Sequence, residues 1–203
     1  MLPPLNDLVG WNQATFISSR SVYENILLVQ EIVRNYYKEK GDPHCTLKID
    51  LMKAYDSINW DFMLHCLHCF GFPMKFLSWI KECITSPKFS ICLNGTLVGY
   101  FEGKMGLRQG DPLSPYLFVL VMEVFSRILA DHTGGGSGFR FHAKCLKLNL
   151  THLCFVDDLL IFYEASLNSI KIIQAALLEF EELSGLKANP SKSSFSVLVS
   201  HIE

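Results

Sequence analysis

No run of about 18 apolar residues passes without a charged or polar interruption, so no segment suits a membrane-spanning helix. The first residues, Met1-Leu2-Pro3-Pro4-Leu5-Asn6-Asp7, have neither the basic start nor the apolar core of a secretory leader. These two absences predict a protein that is not secreted and sits inside the cell, in nucleus or cytoplasm. Positive charge is also in short supply. With 18 Lys+Arg against 20 Asp+Glu, the net charge of −2 lacks the overall basic footprint of an independent nucleic-acid binder. Any binding of that kind falls to local basic clusters or to parts of a longer protein. Internal repeats are absent, and the single flexible tract, Gly134-Gly135-Gly136-Ser137-Gly138, reads as a surface loop.

What is present is a globular composition: 203 residues, 49% hydrophobic and 19% charged, enough for one medium domain or a compact two-lobed unit with a real core. Seven cysteines, an odd number scattered through regular segments, suit reduced thiols in a reducing compartment. The run His65-Cys66-Leu67-His68-Cys69 has zinc-like chemistry. It lies inside a helical pattern with no second Cys/His pair at ligand spacing, which favours packing and surface roles. Asn94-Gly95-Thr96 and Asn149-Leu150-Thr151 fit the glycosylation pattern but carry no weight without secretion.

Periodicity predicts the elements. Val22, Ile26, Val29 and Val33 form an apolar stripe on a helix over 21–40, closed by the turn Gly41-Asp42-Pro43. In Thr46-Leu47-Lys48-Ile49-Asp50-Leu51 the alternation puts Leu47, Ile49 and Leu51 on one face and Thr46, Lys48 and Asp50 on the other. That is a half-buried strand presenting a carboxylate near its end. Helices follow over 59–70, stopped by Gly71, and over 73–84, opened by Pro73. Asn94-Gly95 between apolar runs signals a hairpin, because both turn positions need positive φ. Ser114-Pro115 caps and opens a long helix to about Asp131, apolar around most of its circumference and therefore deeply buried. Residues 148–163 read as a second hairpin with Asp157-Asp158 at the tip. A last helix over 167–184 turns Ile170, Ile173, Leu177 and Phe180 to one side and stops at Gly185. Hairpins mixed with helices, without regular alternation, argue for an α+β fold.

Three segments carry chemistry. Asp157-Asp158 sits between strongly apolar strands, where two ionised groups repel. An Asp-rich hairpin turn is one reading; a cation site, whose charge offsets the repulsion, is the other. Asp50 leaves its strand on the polar face; alone it reads as a solvent-facing strand end. With the hairpin it supplies the oxygen ligands from two strands that nucleotidyl transfer needs. Gly106-Leu107-Arg108-Gln109-Gly110-Asp111-Pro112 combines glycines that permit close backbone approach, a permanent cation suited to phosphate, and a helix start.

Four ordered blocks resemble the reverse transcriptases of non-LTR (LINE-type) retrotransposons, those of plant lineages most closely. They are Asp50 to Trp60 (DLMKAYDSINW), Gly106 to Pro115 (GLRQGDPLSP), Phe155 to Asp158 (FVDD) and Ser184 to Ser193 (SGLKANPSKS). Asn12 to Ile17 and Arg20 resemble the family's upstream block. The resemblance implies a polymerase right-hand palm, an antiparallel sheet with helices on one face, plus partial fingers and no thumb. Residues 1–45 and about 57–108 would be fingers-like, and about 46–56 and 109–203 palm. It implies RNA-directed DNA synthesis on an RNA template from a DNA primer and deoxynucleoside triphosphates, with two Mg²⁺ ions, or Mn²⁺ in their place.

The roles it implies are specific. Asp50 and Asp157 bridge the metals, and Asp158 is the auxiliary carboxylate. Tyr55 gates the sugar by filling the space of a ribose 2′-hydroxyl, or is ordinary core. Arg108, Gln109 and Gly110 contact nucleotide and template. Lys192 serves the leaving pyrophosphate, or is a solvated loop lysine. Asp56 supports its loop by hydrogen bonds. Arg20 is the upstream phosphate contact, although Ser18-Ser19 stands where the family commonly has glycine before the arginine. The expectation is of a piece of a longer polyprotein with thumb and endonuclease, or of a decayed insertion. The alternative is a non-catalytic palm kept as a maturase-like, RNA-binding scaffold. An RNA-templated RNA polymerase is disfavoured, since a polar residue would be expected at Tyr55.

Overall fold

The computed structural model describes residues 4–34 and 43–198. In chain order it contains α1 (Leu5–Leu8), α2 (Val22–Val33), β1 (His44–Asp50), α3 (Ala54–Ser57), α4 (Trp60–Cys69) and α5 (Met74–Thr85). Then come β2 (Lys88–Leu93), β3 (Thr96–Glu102), α6 (Ser114–Thr133), a 3₁₀ turn at Leu146–Leu148, β4 (His152–Phe155), β5 (Asp158–Glu164), α7 (Leu167–Ser184) and β6 (Ser194–Leu198). Four strands form an antiparallel sheet in the order β4-β5-β1-β6, and β2-β3 is a separate hairpin. The alternation read from the sequence is realised in β1. Cys45, Ile49 and Leu51 are buried on the core side, while Lys48 and Asp50 lie on the partly exposed side.

The principal core lies between the sheet and two long helices. Phe118, Val121, Met122, Phe125 and Leu129 of α6 are fully buried, packed with Ile173, Ala176 and Phe180 of α7 and with Ile49, Leu159 and Ile161 of the strands. Removing one such aromatic, for example Phe125→Ala, costs on the order of 3–5 kcal/mol. A smaller cluster covers part of the other face of the sheet, where Ile32 of α2, Cys145 and Leu150 meet Leu153 and Phe162.

Local details depart from the sequence reading in three places. The buried side of α2 is Asn25, Leu28, Val29 and Ile32, whereas Val22, Ile26 and Val33 are exposed. The helix has apolar residues around more than one side, and docking onto Leu153 and Phe162 rotates the buried face so that Val29 alone of the expected stripe lies on it. It ends at Val33, since Arg34 has extended ψ, and 35–42 of the expected helix and turn lie outside the described residues. Ser114 is the first helical residue of α6 rather than its N-cap. Leu113 holds that position, and its N–H donates to Asp111 Oδ1 at 2.9 Å. That bond, followed by the Arg108 cation, holds the Asp111 carboxyl below its usual range. In α7, Ile173 and Phe180 are buried as expected, but Ile170 is 39% exposed. The Asn94-Gly95 turn has the expected positive φ at both residues, 51° and 82°. The hairpin it closes leaves Ile91, Leu93, Leu97 and Tyr100 exposed.

The upstream block docks on the edge strand β4. Gln13 bridges to Cys154, whose N–H donates to Asn12 O at 3.0 Å, and the Asn12 amide donates to Nε2 of His152 at 2.7 Å. An amide nitrogen only donates, so Nε2 accepts and the imidazole proton sits on Nδ1, facing Thr151 Oγ1 at 2.9 Å. Burial lowers the His152 pKa from 6.5 to about 4. The unfolded chain therefore takes up a proton near pH 6.5 that the native chain refuses until about pH 4. Stability is full above pH 7 and declines as pH falls through this window. Urea unfolding is expected to show a loss of about 2 kcal/mol between pH 7 and 5, and His152→Gln to flatten it. An unchanged slope in the variant would contradict the assignment.

Candidate active site

Strand pairing creates the site. In the β1–β5 ladder Asp50 faces Asp158 directly, which puts the two Cβ atoms roughly 5 Å apart on one side of the sheet. Like charges so placed repel, and two neighbours offset the cost. Lys48, two residues before Asp50 and thus on the same face, reaches Asp158 Oδ2 at 3.1 Å. Asn189 donates its amide to Asp50 Oδ2 at 3.2 Å, and its backbone N–H to Asp50 O at 2.8 Å. The Asp50 N–H in turn meets Ser193 Oγ at 3.3 Å. Lys48, Asn189 and Ser193 had no role in the sequence reading. Alternation along β1 was enough to find Lys48, but no local pattern ties Asn189 to Asp50.

Asp157 is in the β4–β5 turn. Phe155 pairs with Asp158, leaving Val156-Asp157 as a two-residue loop. Val156 has φ 59°, a left-handed conformation that costs a β-branched residue about 1–2 kcal/mol. The strained turn brings Asp157 to a cleft that Asp50 also lines. That cleft has a volume of 820 Å³, and Asp50, Tyr55, Asp56, Gln109, Asp157 and Lys192 all line it. Residues from all four sequence blocks are thus gathered at one opening.

Tyr55 stands on α3, which Lys53 enters through a left-handed turn at φ 44°. Its ring stacks on Phe118 at 4.8 Å and 11°, so it belongs to both core and cleft. Burial, and then the nearby Asp157 carboxylate, push its hydroxyl pKa above the usual value. The loop after β3 clamps this helix. Gly106 N donates to Ile58 O at 2.8 Å, Leu107 N to Tyr55 O at 2.6 Å, and the Trp60 indole to Gly106 O at 2.6 Å. From the other side, Gly185 abuts Ser57.

Other candidates lie elsewhere. Arg108 faces the neighbouring groove rather than the cleft, its Nη2 held by Asp111 Oδ2 at 2.5 Å and Cys83 O at 3.0 Å. Gly110, at φ 90°, does not line the cleft. Arg20 does not reach it either. The guanidinium donates to the carbonyls of Gly10, Gln13 (2.8 Å), Asn6 (3.1 Å) and Val9 (2.7 Å), which ties the N-terminal segment together. Asp56, expected to brace its loop, makes no side-chain hydrogen bond among the described residues and borders both the cleft and the groove.

Residues 1–201 match the family described as reverse transcriptase (RNA-dependent DNA polymerase). The chain belongs to this family. It is 27% identical over 190 residues to the retrovirus-related Pol polyprotein from type-2 retrotransposable element R2DM of Drosophila melanogaster, covering 93% of this chain and 17% of that protein. To the transposon TX1 uncharacterized 149 kDa protein of Xenopus laevis it is 24% identical over 131 residues, 64% of this chain and 10% of that one. The chain therefore spans a minor part of these relatives. Telomerase from Candida albicans, solved with a fragment of telomeric RNA, superposes with a TM-score of 0.64 at 15% identity over 92% of this chain and 31% of that one. The architecture is thus the reverse-transcriptase right-hand α+β fold. Polymerases of this family use divalent cations. Among the described residues no three His, Cys, Asp or Glu side chains are gathered as a metal-holding group; the oxygen chemistry of Asp50 and Asp157, which have no cationic partner there, is of the kind that suits a hard cation. No helix among the described residues is long and apolar enough to cross a membrane.

The clamp gives a sharp expectation. A Cβ on Gly106 would lie 2.6 Å from Asp56 O at φ 85°, whereas one on Gly110 would meet nothing. Gly106→Ala is expected to lower stability by roughly 2–4 kcal/mol, and Gly110→Ala by only about 1–2 kcal/mol. Equal losses in chemical denaturation would show that the close approach to α3 is unimportant.

Proposed function

We propose that this reverse-transcriptase domain performs RNA-directed DNA synthesis, with Asp50 and Asp157 as the main carboxylates that would hold two Mg²⁺ ions and Asp158 as the auxiliary carboxylate. The observation that carries it is the convergence of Asp50 and Asp157, from segments far apart in sequence, on one cleft with Tyr55, Gln109 and Lys192. Held there, Mg²⁺, or Mn²⁺ in its place, would supply the charge that makes the primer 3′-hydroxyl more acidic and offsets that of the triphosphate. The 3′-hydroxyl gives up its proton to solvent water, its oxygen bonds to the α-phosphorus, the bond from that phosphorus to the bridging oxygen of the β-phosphate breaks, and pyrophosphate leaves. The Lys192 ammonium stabilises the charge developing on that pyrophosphate and donates a proton to it. Tyr55, backed by Phe118, fills the space beside C2′ and favours deoxynucleotides. Gln109 contacts the nucleotide and the template, with Gly110 allowing close backbone approach. Arg108, braced by Asp111, shapes the groove through which the template approaches. Palm corresponds to about 46–56 and 109–203, and fingers-like parts to 1–45 and about 57–108. The domain works in the cell's nucleus or cytoplasm, beside further parts of a polyprotein such as thumb and endonuclease.

Primer extension on an RNA template tests this reading. Asp157→Asn is expected to reduce Mg²⁺-dependent extension by about a thousandfold or more, with folding intact. Undiminished extension would exclude Asp157 from the chemistry. RNA binding that survives with no extension in the unaltered chain would favour the maturase-like scaffold. Tyr55→Val is expected to raise ribonucleotide incorporation relative to deoxynucleotide by about tenfold or more. A ratio that stays constant would make Tyr55 a core residue only.

A further inference from the structure

Several cations of the fold are answered by carboxylates, as in Lys48 with Asp158, Lys88 with Glu102 and Arg127 with Glu123. No ion pair reaches Lys53, Lys104 or Lys192 among the described residues. These unpaired lysines are gathered in one region. Lys192 and Lys53 line the catalytic cleft, and Lys53 and Lys104 line a second cavity of 510 Å³. Met52 and Lys53 border both, so the two cavities share a wall. Lys187 adds a third ammonium to the second cavity, although Glu181 lies 3.3 Å from it. The single carboxylate of the lining is Asp61.

The cavity also has an apolar side, made by Trp60, Met52 and Met105. The indole is held in place by its bond to Gly106 O, so the ring is ordered before any ligand arrives. Lysines beside a fixed aromatic ring and polarisable methionines match a phosphate chain joined to a flat base. The volume falls within the range of small-ligand sites, whereas a nucleic-acid strand needs an extended groove over several nucleotides.

We propose that this cavity is a second nucleotide site, where a free nucleoside triphosphate sets its phosphates on Lys53, Lys104 and Lys187 and its base on Trp60, Met52 and Met105. It adjoins the catalytic cleft through Lys53, and its use as a nucleotide reserve rests on the polymerase reading, although binding itself does not. Titration of the full chain carrying Asp157→Asn with dATP in EDTA isolates the site from divalent-cation binding. One equivalent of dATP is expected to bind, Lys104→Glu to weaken it about tenfold or more, and Lys104→Ala to weaken it less. Unfolding midpoints of the variants serve as the folding control. Absence of dATP binding, equal binding by Lys104→Glu, or binding of an oligodeoxynucleotide but not of dATP would overturn the proposal. Intact dATP binding, together with failure of the unaltered chain to extend a primer with Mg²⁺, would overturn the polymerase reading and leave the site standing.

Discussion

Two carboxylates face each other across a pair of strands, and the rest of the site is arranged around that repulsion. β1 is bonded on both edges, to β5 and to β6, while its other face is packed against α6 and α7. Slippage by one residue would turn Asp50 into the core and Ile49 out of it, so burial of Cys45, Ile49 and Leu51 enforces the register that opposes Asp50 to Asp158. Lys48 and Asn189 offset part of the unfavourable charge. What they leave over is the negative potential that suits a divalent cation.

A second constraint is steric. The short α3 carrying Tyr55 has too few residues to be stable alone, and it is held because two glycines let other backbone segments come close on either side. Gly106 brings the Arg108-Gln109-Gly110 loop against it, and Gly185 brings the end of α7, from which the chain continues to Asn189 and Lys192. The cleft is thus built from loops whose positions are set by the rigid sheet and the two buried helices. Lys53, at the left-handed entry to α3, lines both the carboxylate-bearing cleft and the lysine-lined cavity.

Much of this was legible in the residues. Alternation located β1 and the face of Asp50, the Asn94-Gly95 turn located the exposed hairpin, and the apolar circumference of 114–131 foretold a buried helix. Legibility failed where two local solutions were equally good. α2 has apolar residues on two sides, and only contact with Leu153 and Phe162 chose between them. Arg20 and Arg108 have the chemistry of phosphate ligands, yet nearby carbonyls and Asp111 occupy their guanidinium groups.

The sequence by itself determined the family and the fold class, because motif order and hydrophobic period are properties of the chain read along its length. Tertiary structure alone decided which residues share a cleft and which charges are cancelled. Asp50 meets Asp158 through a strand register, Asn189 reaches Asp50 across the fold, and Lys53 and Lys104 are left unpaired beside Trp60. Those outcomes depend on distances between segments far apart in the chain, and such distances are set only when the core packs.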